Sequence, residues 1–252
     1  MSEIAVVTTT FYNDLAETRF HLACQLVGDA VGTGYDVIVV DGSPNTAIGE
    51  ALKRIGASVY KQIARGMGPS RRELFMKAEE DDCLPEYFVW TEPEKPDVIR
   101  SIPKLVAPLA LGEAEIVILE RTEASWSSYP NYQVESERQA NAVYAEVTGR
   151  NFDPMSGPMA WTRKVNRYFS ECNPKERFGA ADTYIQHIAP LLAMADGCRV
   201  ASVPVDFYYP RAQFKEELTT LSDAMVAKRT RQLAECTEAY RLAADALRLK
   251  RK

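Results

Sequence analysis

The sequence is poor in histidine and cysteine, the side chains that most often build zinc sites. Only His21 and His187 occur among 252 residues, and the five cysteines are scattered without a Cys-x-x-Cys pair. A histidine-rich or paired-thiolate zinc site is therefore excluded. An odd number of scattered thiols favours a reducing compartment, and we expect a cytoplasmic protein.

Long apolar runs are missing as well. No stretch of about 18 apolar residues occurs, and the N-terminus lacks the basic segment that opens a signal peptide. Hydrophobic residues make up 46% of the chain, charged residues 26%, and the net charge is −5. This composition is typical of a soluble globular domain, and we expect neither nucleic acid nor a membrane as a partner.

Three glycine motifs of common enzyme classes are absent. The first predicted strand, 4–10, is followed by no Gly-x-Gly-x-x-Gly, which argues against a dinucleotide-dependent dehydrogenase. The phosphate loop Gly-x-x-x-x-Gly-Lys-Ser/Thr is missing, which excludes a P-loop NTPase. The Gly-x-Ser-x-Gly turn is also missing, so an α/β-hydrolase is disfavoured.

Strand and helix patterns alternate along the first half of the chain. Apolar, β-branched runs predict strands at 4–10, 35–40, 57–63, 87–90 and 115–119. Helical stripes separate them at 15–31, 47–55, 69–80 and 97–109. This alternation favours an α/β fold with a mostly parallel central sheet flanked by helices. Beyond residue 120 we predict a long loop at 122–134, helices at 136–149 and 183–195, strands at 159–161 and 199–205, and a loop at 208–214.

One long helical pattern occupies the C-terminal part, from Glu216 to Leu249. It either packs on its own domain or, because its steps approximate heptads, forms a homodimer. The apolar positions of this pattern are Leu218, Leu221, Met225, Leu233, Cys236, Tyr240, Ala243 and Leu247. We therefore predict one large domain at 1–215, with halves at 1–120 and 121–215, followed by a C-terminal helix at 216–252.

Polar residues follow the predicted strands at their carboxyl ends, where ligands bind to α/β sheets. Thr8 and Thr9 lie near the end of the first strand, and Asp41 ends the second. Glu92 and Glu94 follow the fourth strand, and carboxylates so spaced can share a divalent cation. The alternative for Asp41 and both glutamates is a solvated turn.

A basic, glycine-containing segment, Arg65-Gly66-Met67-Gly68-Pro69-Ser70-Arg71-Arg72, follows the third strand. Its glycines allow the backbone to approach a ligand closely, and a helix N-terminus attracts anions. Three arginines at this position suit a diphosphate. The alternative is a flexible basic loop.

Taken in order, these motifs resemble the GT-A fold of nucleotide-sugar glycosyltransferases. They are Val-Asp-Gly-Ser-x-Asn at 40–45, Gly-x-Gly-x-Ser-Arg-Arg at 66–72 and the acidic pair. The chain is similar to family-2-like transferases and, more loosely, to the mannosylglycerate synthase and glucosyl-phosphoglycerate synthase type, over roughly residues 3–210. The resemblance implies a nucleotide-sugar donor, Mg²⁺ or Mn²⁺ on Glu92 and Glu94, and donor contacts from Thr8, Thr9, Asp41, Arg65, Arg71 and Glu92.

Two features depart from that family's pattern. Glutamates separated by Pro93 replace the usual Asp-x-Asp, and Tyr-Tyr-Pro-Arg-Ala-Gln at 208–213 stands where many metal-dependent relatives carry a histidine. Both departures indicate that a cation is held weakly or is replaced by Arg211 and other cationic groups.

The second half of the chain continues the resemblance. Ser156 and Gly157 fall in the segment that faces the acceptor, with an ordinary turn as the alternative. Asp182 falls where family members carry a catalytic base or a carboxylate on the other sugar face, with a helix N-cap as the alternative. We expect Arg121, Trp126 and Tyr129 to form an acceptor wall, although Trp126 could instead anchor the core.

The predicted function is transfer of a sugar from a nucleotide sugar to a small soluble acceptor. The alternatives are a sugar-phosphate nucleotidylyltransferase and a binding protein of the same fold that has lost catalysis. The first is disfavoured because its glycine-rich first loop is absent after Thr10.

Overall fold

The computed structural model describes residues 2–81, 84–220 and 223–249; the side chains of 216–220 and 223–225 are not described. Seven strands in these ranges form one sheet in the order β3-β2-β1-β4-β6-β5-β7. Their bounds are β1 Ile4–Thr10, β2 Asp36–Asp41, β3 Ser58–Lys61, β4 Tyr87–Trp90, β5 Ile116–Arg121, β6 Met159–Thr162 and β7 Val200–Val205.

Helices cover both faces of the sheet. Their bounds are α1 Thr18–Thr33, α2 Thr46–Ile55, α3 Met67–Glu80, α4 Ile102–Ala110, α5 Glu123–Trp126, α6 Asn131–Thr148, α7 Arg167–Ser170, α8 Pro174–Phe178, α9 Ile185–Ala195, α10 Arg211–Thr220 and α11 Asp223–Leu247. Short 3₁₀ segments lie at Pro96–Ser101, Pro154–Ser156 and Arg163–Val165. Pro103 lies in the first turn of α4, where its missing N–H costs little, so the predicted helix 97–109 divides before it.

The order of the strands places a topological switch at β1. This strand pairs in parallel with β2 on one side and with β4 on the other. Strand β6 runs antiparallel to β4 and β5, and the remaining pairs are parallel. In such sheets the crevice at the carboxyl ends of the two strands that flank the switch binds ligands.

Two apolar cores lie on opposite faces of the sheet, which explains why the strands read as continuous apolar runs. Val7, Trp90 and Trp161 face α3, α6, α9 and α11. Val6 and Val39, from alternate strand positions, face α1, α2 and α4. The alternation within each strand follows from the opposite directions of successive side chains.

Two segments that were predicted to be loops contain helices, so these predictions are wrong. Segment 122–134 contains α5 and the start of α6, because Thr122 caps α5 by accepting a hydrogen bond from Ser125 N at 3.2 Å. A helix of four residues is too short to show an apolar period, which explains the wrong prediction. Segment 208–214 contains the start of α10 at Arg211.

The C-terminal pattern forms α10 and α11, and residues 221–222 between them are outside the described ranges. Helix α11 packs against α6, α8 and α9 and buries Cys236, Tyr240 and Ala243 in the chain's own core. Leu221 and the side chains of Leu218 and Met225 lie outside the described part. Because central apolar positions of the stripe already contact this chain, the structure favours packing on its own domain, and a homodimer stays a prediction.

Across the described ranges, no helix is long and apolar enough to cross a membrane.

Candidate active site

The carboxyl ends of β1 and β2 carry hydroxyl and carboxylate groups that bond to one another. Thr8 Oγ1 donates to the carbonyl of Thr91 at 2.8 Å, which ties β1 to the end of β4. Asp41 is buried, and its Oδ1 accepts from Thr10 Oγ1 at 2.9 Å and from both N and Oγ of Ser43 at 3.1 and 2.5 Å. Asp41 therefore shapes the end of β2, while Thr9 is half-buried beside it.

The second turn of α3 places a buried arginine in the site. Arg71 NH1 donates to the carbonyl of Thr183 at 2.6 Å and to Gln186 Oε1 at 2.7 Å. Its guanidinium lies 5.1 Å from the Trp90 ring, and its Nε has no hydrogen-bond partner. Burial lowers the pKa of Arg71 and Glu92 opposes this shift, but an arginine stays charged at neutral pH.

Glu92 and Lys95 form an ion pair directly after β4. Lys95 Nζ lies 3.1 Å from Glu92 Oε2 and donates to the carbonyl of Ser156 at 2.6 Å. The contact to Glu92 lacks hydrogen-bond geometry, so Oε2 is buried beside a cation without accepting a hydrogen bond. Gly157 has φ +94°, and a Cβ there would overlap the Glu92 carboxylate. The predicted acceptor segment therefore lies against the predicted donor carboxylate.

Glu94 faces different partners. It is 7% exposed, accepts a hydrogen bond from Tyr12 OH at 3.0 Å and pairs with Arg19 at 2.5 Å. Burial, and next the Glu94 carboxylate, raise the pKa of Tyr12 far above its ordinary range, so the phenol remains a donor. The two glutamates predicted to share a cation thus have separate partners.

No group of three or more histidine, cysteine or acidic side chains suitable for a metal occurs in the part of the chain that the structure describes. With Glu94 engaged by Arg19 and Glu92 by Lys95, this donor set does not fit a divalent cation. The sequence offered Arg211 as a replacement for the cation. Arg211 is exposed on a groove of about 780 Å³ between α1 and α10. The predicted donor, acceptor and catalytic residues do not line this groove.

Asp182 is held by α3. Arg72 binds it through two nitrogen–oxygen contacts of 2.6 and 2.8 Å and donates to the carbonyl of Cys172 at 2.9 Å. Gly68 has no room for a side chain, since a Cβ would overlap Asp182. This glycine is thus required by packing within the chain. The N-cap alternative for Asp182 is wrong, because α9 begins at Ile185 with Tyr184 at its N-cap.

Arg121 lies in the interior rather than on an open wall. Its side chain is fully buried, with nitrogen–oxygen contacts of 2.8 Å to Asp153 and 2.5 Å to Glu137. Burial acts to lower the pKa of Arg121, but the two carboxylates outweigh it and raise the pKa. The guanidinium stacks 3.6 Å from the Trp126 ring. Direct contact with an acceptor would require this network to open.

Trp126 and Tyr129 are also buried, at 8% and 4% exposure, which matches the core-anchor alternative for Trp126. Ser156 Oγ donates to the carbonyl of Leu119 at 2.7 Å and fixes the turn before β6. Arg65 is exposed on the loop that leads to α3.

Lys95, Arg72 and Gln186 hold the predicted residues in place. Sequence reasoning missed Lys95 and Gln186, and it matched Arg72 with a diphosphate rather than with Asp182. Lys95 was detectable, because it follows Glu92 by three residues, the spacing of an ion pair within one turn. Gln186 and the pairing of Arg72 with Asp182 had no signal, since the partners lie more than 100 residues away.

No protein-family model matches the chain, and no curated protein matches it. Solved structures do match. A mycobacterial protein superposes with a TM-score of 0.61 at 16% identity, over 92% of this chain and 72% of that one. Glucosyl-3-phosphoglycerate synthase from Mycobacterium tuberculosis, in complex with Mn²⁺, UDP and phosphoglyceric acid, superposes with a TM-score of 0.55 at 17% identity, over 92% and 78% of the two chains.

A further crystal structure of that synthase has a TM-score of 0.56 at 17% identity, over 94% of this chain and 80% of that one. The fold is a GT-A fold. The fold expected from the resemblance is thereby confirmed. Identities this low establish the fold, while activity has to be argued from the residues of this chain.

Proposed function

We propose that the protein transfers a glycosyl group from a nucleotide-sugar donor to a small soluble acceptor. One observation carries the proposal: two buried N–H donors without hydrogen-bond partners lie next to each other at the end of β4. They are Arg71 Nε and Trp90 Nε1, and the Arg71 guanidinium lies 5.1 Å from the Trp90 ring. Buried polar atoms are nearly always bonded, so two adjacent unpaired donors favour a ligand that carries acceptor oxygens. The GT-A fold and the UDP in its solved neighbour support a nucleotide diphosphate as that ligand.

The chemistry that this arrangement can supply is stabilisation of a leaving diphosphate. Arg71 is fixed by Thr183 and Gln186, and Lys95 is fixed by Ser156, so neither cation has to reorganise during the reaction. Fixed positive charge in a poorly solvated site acts more strongly on developing negative charge than it would in water.

The nucleoside is proposed to lie over the ends of β1 and β2. Thr9 and Arg65 are accessible there, while Thr8 and Asp41 support the backbone from below. We assign Thr8 and Asp41 a supporting role because their side chains already form hydrogen bonds within the chain. Arg65 is well placed to meet a phosphate because it precedes the N-terminus of α3.

Asp182 is proposed as the catalytic carboxylate. Both of its oxygens are oriented by Arg72, and each retains lone-pair capacity for a sugar or acceptor hydroxyl. Its segment also supplies the Thr183 carbonyl that holds Arg71. Ser156 and Gly157, beside Glu92, are proposed to face the acceptor.

The proposal does not route any step through a divalent cation. Such a cation on Glu92 and Glu94, predicted from the family resemblance, would add positive charge to carboxylates that Arg19 and Lys95 already balance. The neighbouring synthase was crystallised with Mn²⁺, so metal remains a variable of the test.

A panel of UDP-, GDP- and dTDP-sugars tests the proposal. We expect one donor to raise Tm, and we expect nucleoside diphosphate release when a small acceptor is added. Small anionic acids belong in the acceptor panel, because the neighbouring synthase was crystallised with phosphoglyceric acid. Failure of every nucleotide to raise Tm, with and without Mn²⁺, would refute the proposal.

The same experiment separates the alternatives. A nucleotidylyltransferase would release pyrophosphate from a nucleoside triphosphate and a sugar phosphate. A binding protein would show the shift in Tm without turnover for any acceptor.

A further inference from the structure

We infer that Lys95 supplies the positive charge that balances the donor diphosphate, without a divalent cation. The inference rests on the proposed function, because it assumes that a nucleoside diphosphate binds at the carboxyl end of β4. It concerns a residue of this chain that the sequence resemblance did not assign to the site.

The Lys95 ammonium group is held from three sides. Its Nζ donates to the carbonyl of Ser156 at 2.6 Å, lies 3.1 Å from Glu92 Oε2 and sits 5.4 Å from the centre of the buried Phe207 ring. Phe207 lies two residues after the end of β7. The aromatic ring favours a cation at this place and offers no ligand for a metal.

The ammonium group also keeps capacity for a ligand. A lysine has three N–H donors, of which one goes to Ser156, and its contact with Glu92 lacks hydrogen-bond geometry. The side chain is 17% exposed, so it is fixed by the protein and still reaches solvent. A phosphate oxygen that arrives from the open side can therefore accept a hydrogen bond from Nζ.

The local charge balance is positive. Arg71 and Lys95 contribute two cations, and Glu92 contributes one carboxylate, since Glu94 is balanced by Arg19. The field of the two cations reaches the neighbouring His187, whose pKa is lowered first by burial and then by Arg71 and Lys95. This field favours a diphosphate without any added cation.

A purely structural reading of Lys95 makes a different prediction. If Lys95 only ties the 92–95 turn to Ser156, then a neutral donor at this position would preserve ligand binding. If its charge matters, the neutral donor would weaken diphosphate binding selectively. Lys95→Gln is such a substitution, and Lys95→Arg keeps the charge.

The experiment measures the Kd values of UDP, GDP and dTDP, and of uridine, guanosine and thymidine, by calorimetry in EDTA and in Mn²⁺. For the diphosphate that binds, we expect the same Kd in both buffers. Lys95→Gln should weaken its binding by about ten- to a hundredfold, the usual effect of losing a hydrogen bond to a charged group. The matching nucleoside should bind Lys95→Gln as it binds the wild type, and Lys95→Arg should retain most of the diphosphate affinity.

Lys77→Gln is the matched control, since Lys77 also pairs with a glutamate three residues away, at 2.7 Å, outside the site. Glu92→Gln adds a second test, the direction in which diphosphate affinity changes, and this test does not depend on the folding of Lys95→Gln. Removing the carboxylate should leave diphosphate binding unchanged or tighter, whereas loss of a metal ligand would weaken it.

Diphosphate binding that requires Mn²⁺, or an unchanged Kd in Lys95→Gln, would overturn the inference and leave the proposed function standing. A weaker Kd in Glu92→Gln would do the same. Absence of binding by every nucleoside diphosphate in both buffers would overturn the proposed function, and this inference with it.

Discussion

Arg72 holds both carboxylate oxygens of Asp182, at 2.6 and 2.8 Å, and so fastens the segment before α9 to the second turn of α3. Both side chains are largely buried, and Gly68 leaves the space that the contact needs. The same segment holds Arg71 through the Thr183 carbonyl. Asp182 is thus oriented by one arginine and linked to the second.

Asp182→Asn is expected to lower kcat by about a hundredfold or more, the range found for a catalytic acid or base. The Kd of the donor nucleotide should change little, because Arg71 and Lys95 remain. Steady-state kinetics and calorimetry measure the two effects. Asp196→Asn, at an acidic residue that bonds to Tyr168 outside the site, is the control. Full activity in Asp182→Asn would show that the catalytic assignment is wrong.

Arg121→Met tests the buried network. Loss of the guanidinium leaves the carboxylates of Glu137 and Asp153 buried without their shared cation, and we expect about 3–5 kcal/mol less stability in urea unfolding. Arg138→Met, which removes a half-exposed arginine that also stacks on Trp126, should cost much less. If Arg121→Met instead keeps wild-type stability and raises the KM of the acceptor, Arg121 contacts the acceptor as the sequence predicted.

Gly157→Ala should strain the backbone and also displace side chains of the site. The residue has φ +94°, and a Cβ would overlap the Glu92 carboxylate, so the ion pair of Glu92 with Lys95 has to move. Gly179→Ala is a matched control at φ +69° with open space around it, and its strain should cost about 1–2 kcal/mol. We expect Gly179→Ala to keep its nucleotide affinity and Gly157→Ala to lose it. Equal affinities in the two variants would contradict this reading.

His187 makes stability depend on pH. Burial lowers its pKa from the ordinary 6.5 to about 3, and its Nδ1 lies 2.7 Å from Tyr240 OH of α11. The unfolded chain takes up a proton near pH 6.5, whereas the folded chain does not until about pH 3. The contribution of His187 is therefore complete above pH 6.5 and is lost as the pH falls, by about 2 kcal/mol at pH 5.

His187→Gln should remove this part of the pH dependence while keeping a hydrogen bond to Tyr240. Urea unfolding at pH 7 and pH 5 measures the difference, and His21→Gln, at an exposed histidine, is the control. If His187→Gln loses as much stability as the wild type over this range, the neutral buried histidine is not its source.

Much of the fold was predictable because its signals are local. The apolar runs that became β1, β2, β4 and β5 are each covered on both faces, so their central positions are apolar without alternation. Helix ends were less predictable, and α5 was missed, because a cap and a single turn leave no periodic pattern. The GT-A order of motifs at the strand ends was visible because each motif lies within a few residues of the end of its strand.

The roles of the charged residues were less predictable. Glu92 and Glu94 look alike in the sequence, with the same side chain one proline apart. In the structure, Glu94 accepts from Tyr12, 82 residues away, and Glu92 lies beside Lys95. Similarly, the sequence around Arg121 suited an acceptor wall, but in the structure Arg121 is buried between Glu137 and Asp153.

The sequence by itself determined where chemistry is available: at the carboxyl ends of the strands, and on an arginine-bearing helix start after β3. Those positions follow from patterns that span a few residues. Only the tertiary structure decided which charges are engaged and which remain open to a ligand. Arg72 and Asp182 lie 110 residues apart, and packing of α3 against the segment before α9 joins them. No local pattern records such a contact, because its free energy depends on burial and distance that exist only after the sheet and its helices have assembled.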